Sequence, residues 1–409
     1  MRTGPTSSPR RRLALVSGLV CSLGAAALLL VACGGGGEAP LPVTPLAAGK
    51  DAWVFSTGPI DGLGSVIVGG VRFDDSAAIV EDDADGRRQD GRALKLGMMV
   101  EIEAGAVDET TGRAVATHVR HGSEITGPVA ATDPLATSIS VLDQTVELVD
   151  STVYGESLPD GFASLTTGLV VNVHAMFDAA RGVYVATRID ARPDAPAYQL
   201  RGVVSGLDTA AQTFRINAAV IDYAAVPAAD RVPLADGQRI RVRLQTEPVA
   251  GRWVADALRP GVRPPPDRPD VRLRGMVSRF ASPQHFAIRG LEVDARNARF
   301  EPNAAAVALG VTVAVHGSVR AGVIVAQHVK VLRPGDDDWR RVELHGSVSG
   351  LDTAAKTFML RDIKVSYAEV TEWRNGSEAE LADGLRLWVK GGWSANRQVL
   401  AAKLIGFGD

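Results

Sequence analysis

Ser205-Gly206-Leu207-Asp208-Thr209-Ala210-Ala211-Gln212-Thr213-Phe214 returns 144 positions later as Ser349-Gly350-Leu351-Asp352-Thr353-Ala354-Ala355-Lys356-Thr357-Phe358. A single change, Gln212 to Lys356, separates the two decapeptides. Near-identity over ten residues marks an internal repeat. The separation equals two periods of about 72 residues, so weaker copies are expected between and before these two.

Three anchors recur in a fixed order. The first is a glycine opening a short β pattern: Gly58, Gly127, Gly202, Gly275 and Gly346, spaced by 69, 75, 73 and 71 positions. The second is a turn glycine followed by an alternating strand, as in Gly97-Met98-Met99-Val100-Glu101-Ile102 and Gly237-Gln238-Arg239-Ile240-Arg241-Val242. Its other copies start at Gly168, Gly310 and Gly384. The third is a closing strand with alanine, such as Val254-Ala255-Asp256-Ala257-Leu258 or Val325-Ala326-Gln327-His328-Val329. Five copies keep that order.

Each copy reads as about five strands, because apolar residues alternate with polar ones over short runs bounded by turn residues. In the third copy the strands are expected at 200–207, 213–216, 220–223, 238–244 and 253–258, with a longer excursion between the third and fourth. Five short antiparallel strands with one excursion match the OB-fold, a small, partly open barrel. Propeller blades take four strands in about 45 residues, so the longer period disfavours them. The expected fold is all-β, about five tandem five-stranded OB-like barrels following a lipoprotein signal peptide. The repeats are placed at 52–122, 123–192, 198–260, 271–333 and 342–409, with a Pro-rich linker at 261–270. Pro-rich joints such as Arg263-Pro264-Pro265-Pro266 act as semi-rigid spacers, which predicts separate beads. The short first junction at Gly122-Ser123 predicts that copies one and two pair.

Ahead of the repeats, Arg10-Arg11-Arg12 precede an apolar stretch, Leu13 to Val31, that ends in Leu30-Val31-Ala32-Cys33. A basic start, an apolar middle and a small residue before the cut are the parts of a secretion signal. A cysteine directly after them makes it a lipobox, so residues 1–32 read as a lipoprotein signal peptide and Cys33 as the lipidation site. Residues 33–51 form a Gly- and Pro-containing tether. The apolar run also approaches the length of a membrane span, but Cys33 ends it. Three acyl chains exceed the two signals needed for stable anchoring. Gly34 after the cysteine, rather than Asp, points to the outer membrane facing the periplasm.

Composition narrows the chemistry. The two cysteines are Cys21, within the signal, and Cys33, so the repeats hold no disulfide, thiolate nucleophile or zinc-finger site. Loss of the signal's four arginines takes the net charge from −3 to −7, which argues against a nucleic-acid coat. At this point the chain resembles proteobacterial lipoproteins and secreted proteins built from repeats of a domain of unknown function. Their pattern is G-x-V-S-G-[LV]-D, then T-F-x-[VI], then L-x-x-G-x-x-V-x-V. Copies three and five follow it closely. Copies one, two and four depart in the turn, at Ile60-Asp61-Gly62, Ala130-Ala131-Thr132 and Arg279-Phe280-Ala281. The resemblance implies the fold and no established activity.

Candidate sites are few. No G-x-S-x-G elbow or comparable catalytic motif is found, so no catalytic residue, metal or cofactor is assigned and the protein is expected not to be an enzyme. His118 and His121 have H-x-x-H spacing, but positions i and i+3 of a strand face opposite ways. Asp82-Asp83-Ala84-Asp85-Gly86 lacks the register of a calcium loop and reads as a solvated acidic excursion. Trp373, Trp388 and Trp393 gather in the last copy as a candidate sugar-stacking platform. Sixteen arginines, no lysine and ten acids lie between Arg201 and Arg299. Arg239, Arg241 and Arg243 fall on one face of a strand, a candidate anion-binding surface or a solvated barrel face. The expected roles are binding or scaffolding of envelope proteins or polysaccharide at a membrane. The alternatives are an anionic glycan or lipopolysaccharide binder using copies three and four, and an unrecognised enzyme. No specific nucleic-acid partner is expected.

Overall fold

Alternation along the strands is what closes the barrels. In the computed structural model, Ile240, Val242 and Leu244 point inward while Arg239, Arg241 and Arg243 point out of the same strand, as a two-residue period requires. The structure describes residues 54–408, apart from 70, 84–85, 90, 109, 333–341, 362 and 394–398. The signal, Cys33 and the tether lie outside the described residues.

Module three shows the topology. Its first strand, Tyr198–Asp208, pairs antiparallel with Thr213–Ile216, which pairs antiparallel with Ala219–Asp222. That third strand runs parallel to the closing strand Trp253–Pro260. The closing strand pairs with Arg239–Leu244, which returns to the first strand through Leu200↔Val242 and Gly202↔Ile240. The ring order is therefore 1-2-3-5-4-1. A parallel pair cannot be joined by a tight hairpin, so the excursion with its 3-10 turn Ala228–Asp230 makes the crossover. Modules two, four and five close the same way. Module one differs: its first strand, Val54–Pro59, breaks at Ile60-Asp61 and resumes at Gly62–Leu63. Every helix described is a 3-10 turn of three or four residues, and none among the described residues is long and apolar enough to cross a membrane.

The recurring glycines have physical reasons. A Cβ on Gly202 would stand 2.2 Å from Ile216 Cγ2, one on Gly127 2.6 Å from Leu142, and one on Gly275 2.8 Å from Ile288. The first strand bends there across a core side chain, and only glycine leaves room. The second-anchor glycines, Gly97, Gly168, Gly237, Gly310 and Gly384, all have φ between 76° and 89°, the left-handed region that other residues avoid. The repeated decapeptide is an Asx-supported hairpin. Asp208 Oδ1 accepts from the amides of Ala210 and Ala211, and Asp352 Oδ1 from those of Ala354 and Ala355. Module two keeps this turn: Asp133 Oδ1 accepts from Leu135 and Ala136, so its departure from the pattern is in spelling, not geometry.

The modules are not beads. Modules two and three share one hydrophobic core, and modules one and five share another, while module four packs around Phe55 of module one. First strands pair across modules: Leu200↔Ile125 antiparallel, Thr57↔Leu273 parallel and Leu63↔Leu344 parallel. The stretch expected to be a Pro-rich spacer enters a strand, Arg268–Ser282, at Arg268. Burial of apolar ends between barrels outweighs the spacing that prolines suggest. Modules one and two also touch: Val153 of module two joins the module-one core, Thr187 Oγ1 donates to the Gly97 carbonyl (2.7 Å) and Arg188 Nη1 to that of Leu96 (3.1 Å).

Candidate functional site: a charge centre between four modules

Glu124 lies one residue before the first strand of module two, and its backbone locks it at the junction. Its amide donates to the Val173 carbonyl and its carbonyl accepts from the Arg201 amide, both at 2.8 Å. The side chain is 1% exposed. It receives Arg239 of module three through Nη2, Arg289 of module four at 3.3 Å, and Arg201 of module three at 3.7 Å. Asp83 of module one takes the other side, bonded by Arg201 Nη2 and by Arg241 Nη1 at 2.7 Å. Arg241 Nη1 also donates to the Asp83 carbonyl. Four modules thus meet at one network.

Burial alone would raise the Glu124 carboxyl. Arg239, Arg201 and Arg289 outweigh it and hold it below its ordinary value. For Asp83 burial is likewise overcome, by Arg201 and Arg241. Burial lowers Arg241 and Arg289 from the usual guanidinium value, and their carboxylate partners offset this only in part. Nearby, His174 is buried with Nδ1 between the Gly122 carbonyl (3.0 Å) and the Met99 amide (3.3 Å). Burial, aided by Arg188, pushes its pKa down to about 4 against the pull of Asp190, so the ring is neutral near pH 7.

The predicted arginine face is therefore split. Arg239 and Arg241 do lie on one outer face of their strand, but that face is covered by modules one and two. Arg243 is 63% exposed, with Asp256 Oδ2 3.3 Å away. Arg239 and Arg241 are not on a solvated face: barrel exteriors here become interfaces. Asp83, read as part of a solvated acidic loop, is likewise turned inward. Sequence reasoning missed Glu124, Arg201, Arg289 and His174, and only the charge-rich interruptions of apolar strands hinted at them.

The other predicted positions fall elsewhere. His121 is buried beside Gln89 Oε1 (3.1 Å) and His118 is half-buried. No group of three or more His, Cys, Asp or Glu among the described residues is set to hold a metal ion. Trp373 leans on Phe407, with ring centroids 6.2 Å apart. Beside the charge centre a cleft of about 380 Å³ opens between modules three and four, lined by Gln238, Arg239, Val262, Ser278, Arg279 and Glu292 among others. That volume falls within the range of small-ligand sites.

A family model described as a domain of unknown function (DUF5666) matches residues 126–190, 274–330 and 345–404. Each match spans one barrel from near the start of its first strand to its closing strand. Three modules are similar to this domain. They are modules two, four and five, so copies two and four, whose turns depart in sequence, match the family model just as the fifth does. No curated protein matches the chain.

Proposed function

We propose that the protein is a lipid-anchored scaffold of the cell envelope that acts by binding rather than catalysis. In this reading Cys33 carries the acyl chains and the barrels face the periplasm from the outer membrane. The lipobox and the Gly-rich tether support the anchor. The observation that carries the scaffold is the shared charge centre, which ties four modules into one body. A surface fixed in advance loses little conformational freedom when a partner docks. Photo-crosslinkers placed at the exposed tips Leu135 and Phe280 are expected to trap a discrete envelope partner in intact cells. Cys33→Ala is expected to abolish acyl labelling and leave the precursor uncut. A processed, soluble Cys33→Ala product would remove the anchor, and crosslinks indistinguishable from those of an unrelated periplasmic protein would remove the scaffold.

A second reading, favoured by the cleft, is that modules three and four bind an anionic glycan or lipopolysaccharide. Arg279 is 59% exposed at its rim and is held by Glu292, so it can turn to a ligand carboxylate or phosphate. Salt-dependent binding of lipopolysaccharide should weaken in Arg279→Ala. Equal affinity of the variant and the parent would end this reading. The exposed position is chosen because substituting Arg239 or Arg241 would disturb the fold itself.

A further inference from the structure

We infer that the small void bounded by Arg201, Arg239 and Arg289, at the meeting of modules one, three and four, binds a monovalent anion of the size of chloride. Three observations carry this inference, none of which depends on the proposed function. The first is charge. Arg201, Arg239, Arg241 and Arg289 gather around Glu124 and Asp83, with Glu101 also lining the void. Four guanidiniums thus stand against two carboxylates and the half-buried Glu101, in a region largely taken out of water. Uncompensated buried charge is costly.

The second is hydrogen bonding. Arg201 Nε and Arg289 Nη1 are buried and have no hydrogen-bond partner, and both residues line the void. Arg201 is 5% exposed at its side chain, so bulk water does not reach the orphan donor. Thr57, also on the lining, spends its hydroxyl on the Val100 carbonyl at 3.0 Å. Guanidinium nitrogens only donate. A spherical anion, which only accepts, suits a void walled by three guanidinium-bearing side chains better than water, which brings protons of its own.

The third is size. The void offers about 10 Å³ to the centre of a water-sized sphere, room for one small occupant. Sulfate and phosphate are too large, and a carboxylate side chain would need a strand to deliver it. Burial holds the Arg289 guanidinium below its usual value despite Glu124 and Glu101, consistent with a cation still short of partners.

The test uses the folded protein without its signal. Urea unfolding is followed at fixed ionic strength while sodium gluconate is replaced by sodium chloride. The midpoint is expected to rise with chloride in the parent protein and in the surface control Arg296→Gln, a residue 66% exposed. In Arg289→Gln the dependence should vanish. Crystals soaked in bromide should show an anomalous peak inside the void, in contact with Arg201 and Arg289. Absence of that peak, or a chloride dependence equal in Arg289→Gln and the parent, overturns the site. If Arg289→Gln fails to fold, the bromide peak in the parent decides alone.

Discussion

Modules three and five contain the same decapeptide and close the same barrel, yet their outer faces meet different surroundings. Counted from Gly237 and Gly384, Arg239 corresponds to Arg386, Arg241 to Trp388 and Arg243 to Lys390. In module three the first two of these are buried against carboxylates from modules one and two. In module five Arg386 and Lys390 are exposed and Trp388 is half-buried. The Trp388 ring lies on Gly406, where a Cβ would fall 2.3 Å from it, and His345 stacks beside it at 6.1 Å. Lys390 and Arg374 approach the ring to 5.7 and 5.9 Å. The barrel interior is thus repeated, and the outward positions of the same strands decide which modules assemble.

The sharpest way to break the comparison is to neutralise the carboxylate that each face uses. Glu124→Gln leaves Arg239, Arg289 and Arg201 without their shared partner in a buried site. It is expected to cost about 3–5 kcal/mol. Module five's counterpart is Glu343, which binds Arg72 of module one along with His345 (2.8 Å) and Lys390 (3.2 Å). Because Lys390 is half open to solvent, Glu343→Gln is expected to cost about 1 kcal/mol. Urea denaturation of both variants checks the ratio. Equal losses would mean that the four-module centre is no more than another surface network.

How much of this was legible in the sequence follows from the same contrast. Strand order, the turn glycines and the strand boundaries of module three emerge from a two-residue period and left-handed turns, which are local properties. The expected strand 213–216 is the observed Thr213–Ile216, and 253–258 falls within Trp253–Pro260. The charge centre was not legible, because Asp83, Glu124, Arg201 and Arg289 are far apart in the chain and meet only after four barrels dock. Alternation tells that Arg241 points out of its barrel. It cannot tell that module one waits there. Proline-rich joints misled for the same reason, since composition measures local stiffness and not the apolar ends buried beyond it.

Acid should loosen the centre before it touches module five's outer face. The folded pKa of His174 is about 4, against an ordinary 6.5. Above pH 6.5 the ring is neutral in both states and its contribution is fully present. Between 6.5 and 4 the unfolded chain binds a proton there and the folded chain does not, so stability falls as pH falls. The loss sums to about 3 kcal/mol by pH 4. Urea midpoints measured across that window should show this slope in the parent and in Trp388→Ala. The slope should flatten in His174→Asn. An unchanged slope in His174→Asn would place the titration elsewhere.

The smallest effects should erase the contrast between the two modules altogether. Asp208 and Asp352 each hold two turn amides at 2.8–3.0 Å, and each turn ends in a left-handed residue with φ of 54°, Gln212 and Lys356. Neither carboxylate reaches another module through these bonds. Asp208→Ala and Asp352→Ala should therefore cost the same, about 1 kcal/mol each. Their effects should add in the double variant, because distant sites without shared partners do not couple. Matching shifts in urea midpoint would show that the repeat stabilises each barrel from within. A much larger loss at Asp208 would mean that the hairpin, and not only the outward arginines, supports the junction, since module three, unlike module five, is built into the charge centre.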